Sequence, residues 1–257
     1  MSGISALQVM PLAGMPLFGP GMAIADALVG ALAGAGESLR DGDVIVLAQK
    51  IVSKSEGRIV DLSTVTPSPR AVELAREGDK DPRLVEIILG ESTEVLRSKP
   101  GALIVVHRLG FVCANAGIDQ SNVGAGKDDS HCLLLPLDPD GSAAKLRDAL
   151  QARTGKMLAV VIIDSWGRAW RNGTLGHAIG VAGMPGLLDL RTNPDLFGRE
   201  LKHSELGLAD AVAAAASLVM GQAAEGRPVV LARGVPYARR DGKAADLIRA
   251  KSIDLFR

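Results

Sequence analysis

The fold is decided by the stretch Leu158-Ala-Val-Val-Ile-Ile-Asp164-Ser-Trp-Gly-Arg168, in which an apolar run ends on an acidic residue among small polar groups. Such a run predicts a buried strand. A second pattern of this kind occurs where Leu103–Val106 and Phe111–Ala114 lead into Asn115-Ala-Gly-Ile-Asp119-Gln-Ser-Asn122. Functional side chains often lie at the ends of buried strands, where a carboxylate can hold a cation. The two strand ends therefore predict one site for a metal ion and phosphate.

The composition predicts a soluble globular protein. With 257 residues, of which 47% are hydrophobic and 23% charged, the chain can bury a substantial core. The 29 basic and 29 acidic residues cancel, so no overall field favours nucleic acid or an anionic membrane. The N-terminus lacks the charged segment of a signal peptide, and no apolar stretch is long enough to span a bilayer. We therefore expect a cytoplasmic protein, with Cys113 and Cys132 as reduced, partly buried thiols.

Helical and strand patterns alternate along the chain without a strict βαβ rhythm, and no internal repeat is present. Thr66 to Arg97 forms a helical region, and Arg168 to Gly186 is too rich in glycine for an ordinary helix. Strands are predicted at Val44–Leu47, Leu133–Leu137, Met157–Ile163 and Val229–Ala232. Helices are predicted at Met22–Leu32, after Ser68, at Pro82–Leu89, at Ser142–Thr154, at Leu206–Met220 and in the charged tail from Arg239. The pattern predicts an α+β or mixed α/β fold. It predicts a single domain over residues 1–257, and a division of that domain into two subdomains is the alternative.

Candidate metal ligands follow the two apolar runs. A divalent cation near a nucleotide requires a few hard oxygen ligands, and the side chains of Asp119, Asp164 and Ser165 supply them. The alternative is that the two aspartates only cap turns or helices. The matched position of both at strand ends favours the metal.

Lys50 and Lys54 follow the strand Val44–Leu47 almost at once, where a lysine can be directed at a phosphate. A solvated pair of edge lysines is the competing interpretation. No Walker loop and no G-x-G-x-x-G fingerprint occurs, so nucleotide binding would use another scaffold.

Other polar and aromatic residues point to an anionic, planar substrate less directly. Trp166 and Trp170 could stack on a ligand, although we expect at least one of them to pack in the core. No serine nucleophile elbow or zinc-binding histidine motif is present, which favours phosphoryl transfer by positioned charge. Four arginines lie in turn-rich segments and could clamp carboxylates or phosphates, or form surface salt bridges: Arg168, Arg171, Arg191 and Arg199.

Several blocks of sequence resemble, in order, the motifs of the coenzyme F420-0:L-glutamate ligase (F420 gamma-glutamyl ligase) family, and the similarity covers nearly the whole chain. These blocks are Asp43-Val-Ile-Val-Leu-Ala-Gln-Lys-Ile-Val-Ser-Lys-Ser-Glu-Gly57, Gly110-Phe-Val-Cys-Ala-Asn-Ala-Gly-Ile-Asp-Gln-Ser-Asn122, Asp164-Ser-Trp-Gly-Arg-Ala-Trp-Arg-Asn-Gly173, Asp195-Leu-Phe-Gly-Arg-Glu200 and Leu218-Val-Met-Gly-Gln222.

The resemblance implies a GTP-dependent acid–amino-acid ligase that adds L-glutamate to the phospholactyl tail of the deazaflavin coenzyme F420-0 and then extends it through γ-glutamyl links. It implies a family-specific mixed α/β fold, an intertwined homodimer, Mg²⁺ or Mn²⁺, and a potassium ion as a further candidate. Some related bacterial proteins carry a second, reductase-like domain after the ligase. We expect none here, because the chain ends at Arg257.

Matched position by position, the resemblance also implies site residues. The expected metal ligands are Asp119, Asp164, Ser165 and Gln222, and the expected catalytic residues are Lys50, Lys54, Asp119 and Asp164. The acceptor carboxylate would take the γ-phosphoryl group of GTP, and the glutamate amine would attack the acyl phosphate. The alternatives are a nucleotide-dependent ligase with another anionic acceptor and a binding protein without catalysis. The implied GTP contacts are Met15, Pro16, Leu17, Phe18, Gln49, Lys50, Lys54, Asn122, Met220, Gly221, Gln222, Ala223, Ala224, Glu225, Gly226 and Arg227.

Overall fold

A computed structural model describes residues 6–123 and 130–254 of the chain, and these residues form strands and helices in irregular alternation. The strands are β1 (Gln8–Pro11), β2 (Val44–Ala48), β3 (Ile59–Asp61), β4 (Ser92–Lys99), β5 (Ala102–His107), β6 (Val112–Ala114), β7 (His131–Leu133), β8 (Ala159–Arg168), β9 (Arg171–Ala182), β10 (Leu187–Asp189), β11 (Glu205–Gly207) and β12 (Val229–Arg233). The α-helices are α1 (Ile24–Gly34), α2 (Gln49–Ser55), α3 (Pro69–Gly78), α4 (Pro82–Gly90), α5 (Pro139–Thr154) and α6 (Leu208–Met220).

A five-stranded mixed sheet in the order β1-β12-β2-β8-β9 is the framework of the molecule. Its two central strands, β2 and β8, run parallel, and the other neighbours are antiparallel. The register pairs Ala48 of β2 with Ile163 of β8. Because these strands are parallel, the residues that follow Ala48 and Ile163 emerge at the same edge of the sheet.

Both faces of this sheet are covered, which explains why its central strands are almost continuously apolar. On one face, Ile45 and Ile162 pack with apolar residues of α1, α2 and α5. On the other face, Val46 and Val161 pack with the alanine-rich helix α6. The alternation follows from the period of two in a strand, since neighbouring side chains point to opposite faces.

A third hydrophobic cluster lies between α2 and α5 in the sequence. Helices α3 and α4 cover the antiparallel sheet β4-β5-β6, and residues such as Leu74, Ile88 and Leu103 are buried there. The β3-β7 ribbon pairs Val60 with Cys132 beside it. This part of the chain carries Asp119, so it delivers one of the predicted metal ligands.

The structure confirms the mixed α/β class and the main strand and helix predictions. Helices α3 and α4 begin after Ser68 and Asp81, whose side chains accept hydrogen bonds from the backbone N–H groups of Ala71 and Arg83. These caps satisfy N–H groups that a helix start leaves unpaired. Helix α6 ends before Gly221, which has the positive φ of 83° expected after a helix.

Other predictions were wrong in part. The helical region was expected to continue to Arg97, but Ser92–Lys99 is strand β4, because it pairs with β5. The strand predicted at Leu133–Leu137 ends at Leu133, and helix α5 already begins at Pro139, capped by Asp138. The tail from Arg239 contains short 3₁₀ turns at Ala244–Leu247 and Lys251–Ile253 where a helix was predicted.

The glycine-rich segment after Arg168 is strand β9, which pairs with β8 along its whole length. Both cysteines are buried free thiols, in agreement with the sequence. Within the described residues, no helix combines the length and apolar character needed to cross a bilayer.

Candidate active site

The candidate site lies at the edge of the main sheet where the parallel strands β2 and β8 direct their carboxyl ends. Gln49 begins helix α2 immediately after β2, and Asp164 follows Ile163 in β8. Strand β8 continues past this point with β9 alone, and Asp164 pairs with His177 of β9. Asp164 is therefore held by a rigid hairpin and not by a loop.

Asp119 reaches the same edge from the chain segment that follows β6. A tight turn at Asn115, Ala116 and Gly117 has positive φ angles of 53°, 55° and 65°, and the Asn115 side chain accepts a hydrogen bond from Leu103 N at 3.0 Å. Asp119 then exchanges two backbone hydrogen bonds with Leu133, at 3.0 and 2.8 Å. These contacts fix the backbone that presents the Asp119 carboxylate.

The Asp119 carboxylate contacts the first turn of α2. Gln49 Nε2 donates to Asp119 Oδ2 at 2.8 Å, and Lys50 Nζ lies 3.3 Å from Asp119 Oδ1. Behind Gln49, the buried hydroxyl of Ser53 donates to Gln49 Oε1 at 2.8 Å, one helical turn further on. This chain of hydrogen bonds orients the Gln49 amide so that its NH₂ group faces the carboxylate.

Both carboxylates are less stable in their ionised form here than in water. Burial raises the pKa of Asp164 to about 7, the nearby Asp119 adds to this rise, and the backbone N–H of Ser165 opposes it. Burial also raises the pKa of Asp119, against the opposing effects of Lys50 and Gln49. Two partly desolvated carboxylates side by side favour a cation between them, because a cation removes both penalties.

Ser165 and Gln222 contact each other at the rim of the site. Gln222 Nε2 donates to Ser165 Oγ at 3.2 Å, and Thr174 Oγ1 donates to Gln222 Oε1 at 3.4 Å. The loop after α6 therefore folds back on the β8–β9 hairpin. Among the described residues there is no cluster of three or more His, Cys, Asp or Glu side chains arranged for a metal, so the acidic part of the site consists of Asp119 and Asp164.

Lys54 lies one turn beyond Lys50 on α2, and its Nζ donates to the backbone carbonyl of Asn122. Burial lowers the pKa of Lys54, and the neighbouring charge of Lys50 lowers it further. Lys50 Nζ also donates to Ser121 Oγ at 3.1 Å. Both ammonium groups thus hold the segment after Asp119 and keep positive charge beside the carboxylates.

Comparison with known proteins places this chain in a family. The family model described as F420-0:Gamma-glutamyl ligase matches residues 14–234. The chain belongs to this ligase family. It is 49% identical to the coenzyme F420:L-glutamate ligase of Methanothermobacter thermautotrophicus, with 99% of each chain covered. It is 43% identical to the protein of that name from Methanopyrus kandleri over the full length of both, and 45% identical to that from Methanocaldococcus jannaschii over 85% of this chain and 86% of the relative.

The two segments outside α2 in which the sequence predicts GTP contacts are tied to α2 and to the β8–β9 hairpin. The segment Met15–Phe18 lies before α1, where Phe18 is only 8% exposed and packs in the core that also contains Ile51 of α2, whereas Leu17 is 96% exposed. The backbone N–H of Gly21 donates to Ser55 O at 2.8 Å and ties this segment to the end of α2. In the loop Met220–Arg227, Ala223 N donates to the Glu225 carboxylate at 2.8 Å. Their nucleotide contacts stay predictions.

Two of the four arginines expected to clamp substrate contact residues close to them in the chain. Arg191 pairs with Asp189 beside the β10–β11 hairpin, which lowers the pKa of Asp189 to about 2. Arg168 donates to Gly173 O at 3.3 Å within the β8–β9 hairpin. The two tryptophans differ as expected, since Trp166 packs against the core and Trp170 is 86% exposed.

Two neighbours of the carboxylates were missed by reasoning from the sequence. Ser53 donates a hydrogen bond to Gln49. The signal for this contact in the sequence was the position of Ser53 four residues after Gln49, which places the two side chains on one face of a helix. Cys113 lies close enough to Asp164 that this charge, after burial, helps raise the thiol pKa to about 12. Cys113 is therefore a protonated, unreactive part of the wall and not a nucleophile.

Proposed function

We propose that the protein is a GTP-dependent ligase that joins L-glutamate to the terminal carboxylate of coenzyme F420-0 through an acyl phosphate, and then adds further γ-linked glutamates. The observation that carries this proposal is the meeting of Asp119, Asp164 and Lys50 at one sheet edge in a chain of the F420 ligase family. Two carboxylates beside an ammonium group suit phosphoryl transfer, in which the protein mainly positions groups and neutralises charge.

The side chains at this edge fit Mg²⁺ or Mn²⁺, because they offer hard oxygen donors and two carboxylates whose ionisation burial opposes. Asp119, Asp164 and the Ser165 hydroxyl would hold the ion, and Gln222 would complete the set. When bound, the ion would supply charge neutralisation at the phosphates of GTP.

The protein's own residues perform the remaining tasks. Lys50 and Lys54 offset phosphate charge while the acceptor carboxylate takes the γ-phosphoryl group and GDP leaves. The glutamate amine then adds to the acyl carbon and loses a proton, and inorganic phosphate departs, so each amide bond consumes one GTP. Gln49 and Ser53 keep Asp119 oriented throughout.

We also propose a homodimer, because Leu196 and Phe197 are 99% and 95% exposed, and exposed apolar groups of this size are typical of interfaces.

A turnover assay tests the proposal directly. Purified protein is incubated with GTP, Mn²⁺, L-glutamate and F420-0, and the products are read by mass spectrometry. We expect a glutamylated coenzyme, with one GDP formed for each glutamate that is added. GDP formation without a glutamylated coenzyme would indicate another acceptor, and the absence of both products would indicate a binding protein without catalysis.

Substitution of the acidic residues tests the assigned site. We expect Asp119→Asn and Asp164→Asn to lower kcat by about 100-fold or more, because each removes charge that binds and positions the reacting groups. The control Asp148→Asn changes an exposed aspartate on α5 and should leave turnover intact. Circular dichroism should show native folding for all three variants. Wild-type turnover by the Asp119 and Asp164 variants would contradict the assignment.

A further inference from the structure

Four rings form a continuous row on the side of β8 that carries Asp164. The centroids of His107 and Phe111 are 6.4 Å apart, those of Phe111 and Trp166 are 5.6 Å apart, and those of Trp166 and His177 are 5.1 Å apart. The planes of Trp166 and His177 differ by 21°, so these two rings are stacked. This row is notable in a chain with only 3% aromatic residues.

A cavity of about 200 Å³ adjoins this row. Phe111, Trp166 and His177 form its aromatic wall, and Ile248 lines the other side. The charged residues that line it are Arg249, Asp210 and Asp254. Drug-sized ligands occupy pockets of roughly 300–1,000 Å³, so this cavity suits a ring system and not a whole coenzyme. An apolar aromatic wall with a guanidinium group beside it suits a planar ring that carries polar substituents.

The cavity is next to the proposed reaction centre. Trp166 follows Asp164 by two residues in β8, so both side chains lie on one face and their Cα atoms are separated by about 7 Å. His177 lies directly opposite Asp164 in the β8–β9 register. A molecule with one end at the carboxylates can therefore extend along the hairpin into the cavity.

The polar atoms of the wall are consistent with a ring ligand. His177 Nδ1 lies 2.8 Å from Leu175 O, which only accepts, so Nδ1 carries the proton and Nε2 remains an acceptor. Burial lowers the pKa of His177, and the neighbouring Asp210 opposes this effect. Within the described residues the half-buried Trp166 indole makes no hydrogen bond, although a sequestered indole N–H usually has a partner.

We infer that this cavity binds a planar heteroaromatic ring by stacking on Trp166, and that the ring belongs to the acceptor coenzyme. The inference rests on the proposed function for the identity of the acceptor. The guanine ring of GTP has the same planar chemistry, but the positions matched to GTP contacts lie before α1, on α2, at Asn122 and from the end of α6 onward. Phosphoryl transfer also needs the acceptor carboxylate at Asp164, which brings the rest of the acceptor to this wall.

A binding experiment separates the ring from the reaction. The probe is a deazaflavin riboside that lacks the phosphate and carboxylate, and its fluorescence is titrated with protein; guanosine is titrated in parallel. We expect Trp166→Leu to weaken riboside binding about tenfold, since one stacking contact accounts for a change of this order. Trp166→Phe should restore part of the affinity. Trp170→Leu, at an exposed position of the same hairpin, should bind as the wild type does.

Kinetics and a second variant complete the test. In turnover assays, Trp166→Leu should raise KM for the acceptor and leave KM for GTP unchanged. If Trp166→Leu does not fold, Ile248→Trp fills the cavity from the other wall and should weaken the riboside in the same way. Unchanged riboside affinity in the folded variants overturns the inference, and a loss of guanosine affinity instead of riboside affinity overturns the acceptor assignment. Trp166-dependent binding of the riboside without any glutamylation would contradict the proposed ligase reaction alone.

Discussion

At the scale of single residues, Asp164 is the most sensitive group of the site. Burial and the neighbouring Asp119 raise its pKa to about 7, so near neutral pH it lies between its charged and neutral forms. Metal ligands of this type must be deprotonated, which couples metal binding to pH.

We therefore predict a pH-dependent affinity for Mn²⁺. Below the raised pKa a proton competes with the ion, so the affinity should fall by up to about tenfold for each pH unit below about pH 7 and should level off above it. Isothermal titration calorimetry in matched buffers measures this profile.

Asp164→Asn provides the control for that profile, because its amide has no proton to lose in this range. The variant should bind Mn²⁺ weakly and with little dependence on pH between about 6 and 8. An equally steep profile in the variant would place the titrating group elsewhere.

At the scale of elements, β9 lies close to two helices at its glycines. A Cβ atom at Gly180 would lie 2.4 Å from the backbone oxygen of Pro139 at the start of α5. A Cβ atom at Gly176 would lie 2.5 Å from the oxygen of Ala213 in α6. The glycine-rich sequence thus allows helices to press on both faces of the strand that supports Asp164.

We predict that Gly180→Ala destabilises the protein by about 1–3 kcal/mol, because backbone atoms must move to admit the methyl group. Urea unfolding followed by circular dichroism gives the change in the free energy of unfolding. In the control, Gly30→Ala, the added methyl group meets no atom within 4 Å on α1. It should stabilise by about 0.5–1 kcal/mol, since alanine favours a helix over glycine. Equal stability of both variants would contradict the close approach.

At the scale of the whole molecule, a charge cluster around Glu91 joins the α3–α4 region to the chain that enters α5. Glu91 accepts hydrogen bonds from Arg58 and Arg108, both at 2.9 Å, and lies 3.5 Å from the Nε2 atom of the buried His107. The two arginines also donate to the backbone oxygens of Leu135 and Leu137, at 3.0 and 2.9 Å. This cluster fixes the part of the chain that carries Asp119 relative to the main sheet.

We predict that Glu91→Gln lowers the free energy of unfolding by about 2 kcal/mol at neutral pH, since it leaves two half-buried arginines without their carboxylate. Burial of Glu91 favours a higher pKa, but the nearby His107 and the hydrogen bonds from Arg108 and Arg58 outweigh it and lower the pKa to about 2. Because the folded-state pKa is depressed, the stabilisation is complete above the ordinary value of 4.5 and is lost as the pH falls through about 2.

Urea unfolding of wild type and variant at several pH values measures this effect. The difference between the two proteins should persist at about pH 5 and shrink toward pH 2. Glu73→Gln removes an exposed pair with Arg70 on α3 and should change the free energy by less than about 0.5 kcal/mol. A Glu91 effect as small as that of Glu73 would show that the cluster does not join the two regions.

Much of the secondary structure was predictable because local chemistry decides it. Short apolar runs predict the strands β2, β8 and β12. Capping residues predict where two helices begin, at Ser68 and Asp81. Helix α2 was not predicted, because its seven residues carry two lysines and follow a strand directly. Its stability comes from packing Ile51 and Val52 into the core, which propensity does not report.

The sequence by itself determined the mixed α/β class, the two acidic strand ends and the family whose motifs they share. Only the tertiary structure decided that these ends meet. The parallel pairing of β2 with β8 joins segments far apart in the chain, and the hydrogen bond from Gln49 holds Asp119 at their edge. It also decided that Trp166 and His177 stack beside Asp164, since that contact depends on the register of β8 against β9. Local patterns specify which residues form strands and helices, whereas long-range packing and hydrogen bonding specify which of them become neighbours.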